Sequence, residues 1–234
     1  MSDLNEIVSA IQESLQDDAY SSDVLIPKIN LSLLGIAAGV RMPDGGISPP
    51  LPDLFAYGTV DTSITLPYVS LPTNYQRQLI TVYDSLNTKI NPPRGGDYKS
   101  FTKFLHQINT MNMTESGEIY VVCVKGTKIY YQGLPTASTT LGLHYYRKPA
   151  TMSLDGDVPE GLPDHLQLEI LKHHVCMKIY GDVEDGQYNK GIGVQQHTTQ
   201  FYSALAQLVD FIGTDAEPSY YGQDDFNDAG ICDG

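Results

Sequence analysis

The stretch that decides the fold is residues 118–131, EIYVVCVKGTKIYY. Two runs rich in Val, Ile and Tyr flank the dipeptide Lys125-Gly126, and glycine there favours a tight hairpin turn between two strands. A further strand is predicted at residues 139–146, TTLGLHYY, where the side chains alternate with a period of two. We expect the three strands to form an antiparallel meander with one face on the helices and the other towards solvent or a neighbour.

Helical patterns lie on both sides of these strands. Apolar residues recur with the 3.6-residue period in four segments, residues 4–15, 22–40, 164–181 and 189–212. Asp3 and Glu6 have the spacing of a capping box for the first helix, and Ser21 or Ser22 can cap the second. Asp164, after Leu162-Pro163, is placed to cap the third. The predicted fold class is therefore α+β, a bundle of two N-terminal and two C-terminal helices with an inserted antiparallel β-rich region.

The composition predicts where these parts begin and end. Residues 1–41 and 150–213 are expected to form the helical bundle. Residues 42–149 form the insertion, which opens with a Pro/Gly-rich loop at 42–57 and contains one short helix at 101–108 after Ser100. Residues 214–234 form an acidic tail with six Asp and Glu and no Lys or Arg, typical of a solvated, flexible segment.

Charge and composition exclude several classes of protein. The chain has 28 acidic against 14 basic side chains, a net charge of -14, which opposes attraction to phosphate backbones and argues against sequence-specific nucleic-acid binding. It contains neither an apolar run of about 20 residues nor a basic, apolar leader at its start, so we expect a cytoplasmic product without membrane insertion. The three cysteines have neither metal-site spacing nor the density of a disulfide framework.

The chemistry-bearing residues are few. His173 and Cys176 share one face of a predicted helix, with His174 beside them, so this cluster is the basis for a rival interpretation as a metal-dependent enzyme. Two ligands do not complete a tetrahedral site, and a buried histidine pair with a small apolar cysteine is the favoured interpretation. Phosphate-binding loops and nucleophile elbows are also missing from the sequence. We therefore assign no active site, metal or cofactor.

Three further segments resemble one known family. They are residues 145–149, YYRKP, at a strand end, residues 162–164, LPD, at a helix start, and residues 71–75, LPTNY, at a strand entry. Together with the two N-terminal helices and the long C-terminal helical region, they resemble the head-to-tail adaptor, or connector, proteins of tailed bacteriophages. The resemblance covers residues 1–212.

The resemblance implies a virion structural protein made in the host cytoplasm and located in the neck of the particle. Members of this family form a ring, here expected to be twelve-fold, between the portal protein and a tail or nozzle protein. The genome DNA passes through the lumen without sequence-specific binding, and we expect acidic residues to outnumber Lys and Arg there. The alternatives are a tail-terminator or tail-tube subunit, or the metal-dependent enzyme described above.

Aromatic residues predict where such a subunit meets its neighbours. The chain has 16 tyrosines and no tryptophan, and a tyrosine doublet on a strand is expected to place one ring outward. A tail that lacks a periodic apolar face is expected to order only against a partner. The candidate interface residues are Tyr131, Tyr146, Arg147, Tyr220, Tyr221, Phe226 and Ile231.

Overall fold

The computed structural model describes residues 2–17, 19–108, 115–184 and 191–213. The elements of these residues, in chain order, are α1 (Leu4–Leu15), α2 (Ser22–Ala38), a 3-10 turn (Pro52–Leu54), β1 (Phe55–Asp61), β2 (Tyr68–Ser70), β3 (Tyr75–Tyr83), β4 (Lys89–Ile90), α3 (Phe101–Ile108), β5 (Val121–Lys125), β6 (Lys128–Gln132), β7 (Thr140–Arg147), α4 (Gln167–Glu184) and α5 (Ile192–Ile212). The fold is α+β, as the sequence predicts. None of the described helices is long and apolar enough to cross a membrane.

The described chain divides into two compact units. The helical unit comprises the described residues up to Leu54 and from Lys148 to Gly213, and the β unit runs from Phe55 to Arg147. Each unit has its own buried core. The chain therefore leaves the helical unit once, builds the β unit, and returns.

Helix α4 is at the centre of the helical unit, because it packs against α1, α2 and α5. The helices contribute buried apolar faces that include Ile7, Leu33, Val175 and Phe201. Burying a side chain of this size contributes about 1.5–3 kcal/mol. The bundle is held together by this shared apolar contact.

The loop between the β unit and α4 forms hydrogen bonds with α1 and α2. The Asn30 side chain in α2 donates to the Met152 carbonyl at 2.8 Å and accepts from the Met152 N–H at 2.8 Å. The N–H of Leu4, free of an intrahelical partner at the start of α1, donates to the Asp157 carbonyl at 2.8 Å. The Leu4 N–H thereby gains the partner that its helix cannot supply, while the Asn30 amide, which also donates to the Ile26 carbonyl of α2 at 3.1 Å, ties the loop to that helix.

The β unit contains two antiparallel sheets around one core. The first has the order β1-β7-β3-β4 and the second the order β2-β6-β5. Leu141, Leu143 and Tyr145 from the first sheet join Val122 and Tyr131 from the second in a single buried cluster. The predicted hairpin is confirmed, but its turn lies at Gly126-Thr127, where Gly126 has φ +61, because Lys125 ends β5 and pairs with Lys128.

The predicted meander is wrong. Strand β7 does not continue the β5–β6 hairpin but lies between β1 and β3 in the other sheet, where Phe55 pairs with Tyr146 and Val82 with Leu143. The hairpin pairs instead with the short strand β2. The alternation in β7 predicts which residues face the core, but β7 could pair with any exposed edge, and only the complete set of strands decides between them.

Candidate interaction surfaces

The first predicted interface residue, Tyr131, belongs to the core. Its side chain has no exposed surface, and its hydroxyl accepts from the Ser63 N–H at 2.8 Å and lies 2.7 Å from the Leu66 carbonyl. The register of β6 places Ile129 and Tyr131 in the core between the two sheets and Tyr130 on the opposite face, where it is partly buried against α3. Our choice of Tyr131 as an exposed ring is therefore wrong for this chain, because the doublet faces the opposite way.

The second doublet is buried on both faces. Tyr145 is 2% exposed and Tyr146 7% exposed, although strand alternation turns the two rings to opposite sides. The expected exposure of one ring fails because β7 has a strand on each side and Phe55 packs edge-on against Tyr146 with ring centroids 6.0 Å apart. Arg147, partly exposed, ends the strand.

The remaining candidates, Tyr220, Tyr221, Phe226 and Ile231, lie outside the described residues. Their place in an interface therefore stays a prediction that rests on the sequence.

Two exposed rings that sequence reasoning missed lie on strand β1. Phe55 is 49% exposed and Tyr57 is 62% exposed, and both point to the outer side of the first sheet. They pair across to Tyr146 and His144, so these rings share one face. With Tyr83, these five side chains form what we call the aromatic face. The alternation of Phe55, Tyr57 and Thr59 is a strand signal, hidden in the sequence by the Pro-rich segment that precedes it.

His144 is the centre of the aromatic face. Its ring centroid lies 5.4 Å from that of Phe55, 5.4 Å from that of Tyr57 and 5.6 Å from that of Tyr83. A hydrogen bond of 2.7 Å joins His144 Nδ1 to Thr81 Oγ1. The contacts fix the histidine ring, so the face presents a rigid group of rings at little cost in side-chain entropy when it is covered.

Glycine allows one of these rings to lie flat on the sheet. A Cβ atom at Gly142 would be only 2.8 Å from Tyr57 Oη, so the Tyr57 ring occupies the space that any other residue at 142 would take. β1 is an edge strand, so its outer backbone groups do not pair with another strand of this sheet. An edge strand with exposed aromatic side chains is suited to contact with another protein.

The histidine cluster of α4 is structural. His173 Nδ1 lies 2.8 Å from His197 Nδ1, and His173 Nε2 lies 2.9 Å from Glu169 Oε2. Burial lowers the pKa of both histidines. The three side chains form a hydrogen-bonded chain between α4 and α5, in which both nitrogens of His173 already have partners.

Neither of the other residues in the rival metal site joins that chain. Cys176 is fully buried, and burial raises the pKa of its thiol to about 11, which disfavours the thiolate that binds metals. The His174 ring stacks on Phe201 with centroids 4.5 Å apart. Among the described residues, no group of three or more His, Cys, Asp or Glu side chains is arranged to hold a metal ion.

The chain was compared with known protein families. The family model described as "SU10 adaptor protein" matches residues 2–224, which is nearly the whole chain. No curated protein matches the chain.

Proposed function

The chain belongs to the SU10 adaptor protein family, and from that premise we propose that it forms a ring between the portal and the tail of a bacteriophage particle. Its coarser role follows from the family: it is a phage structural protein of the virion that associates with other virion components. The finer proposal is a twelve-fold ring with the portal on one side and a tail or nozzle protein on the other. The genome passes through its lumen.

The family match carries this proposal because it extends across both the helical unit and the β unit. A ring requires each subunit to present a surface that its neighbour covers. The aromatic face has the exposed rings and the edge strand that such a contact uses, and Phe55 and Tyr57 are its accessible part. We therefore assign the aromatic face to the contact between neighbouring subunits.

The charge of the chain supports a passage for DNA. A channel that conducts DNA should not adsorb it, and an excess of carboxylates near phosphates prevents adsorption. The helical unit has 17 acidic and 6 basic side chains within residues 1–54 and 148–213. We propose that acidic side chains outnumber Lys and Arg on the lumen side of the ring, and a channel lined mainly by Lys and Arg would contradict this.

The proposal is tested by removing the exposed rings. In the double variant Phe55→Ser/Tyr57→Ser, we expect the subunit to fold but to lose ring formation and co-purification with portal or virions. The matched control is Leu86→Ser, because Leu86 is 83% exposed and lies outside the aromatic face. Native mass spectrometry of the protein, alone and with portal, gives the number of subunits in the assembly.

Two results would count against the proposal. A wild-type chain that stays monomeric in the presence of portal and is missing from purified virions would exclude the ring. A double variant that forms the same ring at the same concentration as the wild type would leave the ring standing but would exclude the aromatic face as its contact.

A further inference from the structure

The second sheet of the β unit has a surface of a different kind. Lys128 and Tyr130 lie on the face of β6 that turns away from the core between the two sheets, and there Tyr130 packs on a small cluster of Phe104, Val121 and Cys123. Tyr68 of β2 pairs directly with Tyr130, with ring centroids 5.4 Å apart. Phe101 of α3 packs edge-on against Tyr130 at 5.1 Å, and Lys125 lies over Phe101 with Nζ 5.6 Å from the ring centroid. We call these five residues the lysine–aromatic surface.

Its two lysines form a cross-strand pair. Lys125 and Lys128 are directly opposite each other in the β5–β6 pairing, an arrangement in which like charges destabilise a hairpin. Lys128 Nζ lies 3.8 Å from the centroid of the Tyr68 ring, so the ring stabilises part of that charge. In the part of the chain that the structure describes, neither ammonium group lies within 4.0 Å of a carboxylate. The pair therefore favours an anionic partner.

The β unit as a whole also favours such a partner. Residues 55–147 contain eight Lys and Arg against five Asp and Glu, a net charge of +3 in a chain whose total is -14. The segment 214–234 has the opposite character, with six carboxylates and no basic side chain. Charge complementarity of this kind directs association and selects between partners.

We propose that the lysine–aromatic surface binds the acidic segment 214–234 of a second copy of this chain. The segment combines carboxylates with aromatic side chains, and Asp224, Asp225 and Phe226 are consecutive. Its acids match the two lysines, while its rings match Tyr68, Tyr130 and Phe101. An extended segment of 21 residues spans at most about 70 Å, so its length is compatible with a contact outside its own subunit. This inference rests on the proposed ring, in which each segment would join one subunit to the next.

Nucleic acid is the competing anion for this surface. DNA phosphates would also be attracted to the lysine pair, but the helical unit of the same chain carries a net charge of -11 that repels a second polyanion of high charge density. A short segment with six carboxylates meets much less of this repulsion and brings its own apolar anchors. The observations therefore favour the protein segment.

The first experiment measures binding without requiring a ring. A fluorescein-labelled peptide of residues 214–234 is titrated by fluorescence anisotropy with the full-length chain in which Asp224, Asp225 and Asp228 are replaced by Asn, so that its own segment competes less. We expect saturable binding that weakens as salt screens the charges. Adding Lys125→Glu/Lys128→Glu to the same chain should weaken binding about tenfold or more, since two attractions become repulsions.

The matched control is Lys28→Glu/Lys89→Glu in the same background, which changes the net charge equally at positions outside the surface. We expect it to bind the peptide within a factor of about two of the parent. Equal binding by the Lys125→Glu/Lys128→Glu chain would overturn the proposal. Tighter binding of a single-stranded DNA of 21 nucleotides than of the peptide, lost on the same substitutions, would also overturn it.

A second experiment decides whether the segment comes from another copy. Full-length ¹⁴N and ¹⁵N protein are mixed, assembled with portal and treated with a carbodiimide, which joins lysine amines to adjacent carboxylates. Cross-links of mixed isotope between Lys125 or Lys128 and residues 214–234 are expected. Rings that yield no such cross-links, or only cross-links within one chain, exclude the proposal while leaving the ring intact. If no ring forms, the proposed function fails instead, and the peptide titration still reports on the surface.

Discussion

The helical unit and the β unit carry opposite charge and satisfy their polar groups in different ways. The helical unit has a net charge of -11 over residues 1–54 and 148–213, whereas the β unit has +3 over residues 55–147. The helical unit buries three histidines in its core, His173, His174 and His197. The β unit buries Tyr131, whose hydroxyl donates to the Leu66 carbonyl. The total charge of -14 is therefore a poor guide to either unit, and each should respond to its own perturbations.

The strongest test of whether the two units unfold separately is a substitution that creates a cavity in the core of one of them. Phe201 is fully buried in α5, so Phe201→Ala should destabilise the helical unit by about 3–5 kcal/mol. Hydrogen exchange measured by mass spectrometry should show lost protection in α1, α4 and α5, with the sheets of the β unit unchanged. Phe211→Ala is the control, because Phe211 is 64% exposed in the same helix. Equal loss of protection in both units would show that they unfold as one body.

Acid should weaken the helical unit through its buried histidines. Burial lowers the pKa of His174 to about 4, and the nearby Lys178 adds to this shift. The unfolded chain binds this proton below its ordinary pKa of about 6.5, whereas the folded chain excludes it, so stability is lost as the pH falls from 6.5 towards 4. The loss attributable to this group is roughly 2–3 kcal/mol.

The matching variant for that prediction is His174→Phe, which keeps a ring beside Phe201 and removes the titrating group. Chemical denaturation at several pH values should show a smaller loss of stability for this variant between pH 6.5 and 4. His165→Gln, which changes an exposed histidine of the same unit, should retain the wild-type slope. Identical slopes for wild type and His174→Phe would contradict the assignment to His174.

In the β unit the corresponding test removes a single buried hydroxyl group. Tyr131→Phe keeps the ring in the core but leaves the Ser63 N–H without its 2.8 Å acceptor, so we expect a loss of about 1–3 kcal/mol. Tyr57→Phe is the control, since Tyr57 is 62% exposed and its ring lies on the outer side of the sheet. Urea unfolding followed by hydrogen exchange should place the change in the β unit only. A loss as small as that of Tyr57→Phe would mean that the Tyr131 hydroxyl contributes little.

The sequence predicts those features that depend on contacts between residues close together in the chain, and it fails where the contacts join distant residues. The β5–β6 hairpin and the cap at Asp3 involve neighbouring residues, and both are confirmed, with the hairpin turn one residue later than predicted. The partners of β7 are distant along the chain, with a separation of 91 residues in the pair Phe55–Tyr146 and 61 in the pair Val82–Leu143, and alternation alone cannot select them. Which face of β6 packs in the core likewise depends on how the two sheets are arranged, and the local pattern does not show this. The burial of Tyr131 could therefore not be predicted.

The aromatic face was missed for a related reason. The Pro-rich segment before it led us to extend the loop to residue 57, although β1 begins at Phe55. Proline restricts its own position and the one before it, so it marks the start of a strand as readily as the inside of a loop.

The smallest predicted effect separates two helix starts that look alike in sequence. Asp3 caps α1, with its Oδ1 accepting from the Glu6 N–H at 2.8 Å, while Ser21 stands at the same position before α2 without a side-chain capping bond. Asp3→Ala should therefore cost about 1 kcal/mol, including the loss of a negative charge beside the helix N-terminus. Ser21→Ala should change the free energy of unfolding by less than about 0.5 kcal/mol.

Both variants belong to the helical unit, so the difference between them is measured against one background. Thermal unfolding at pH 7 gives the two values, and only Asp3→Ala should lower the midpoint clearly. The start of α1 is also held by the Asp157 carbonyl, which accepts from the Leu4 N–H, so the helix should remain docked in the variant. Equal shifts for the two variants would mean that Ser21 caps α2 in solution. A shift near zero for both would mean that the loop contact alone fixes the start of α1.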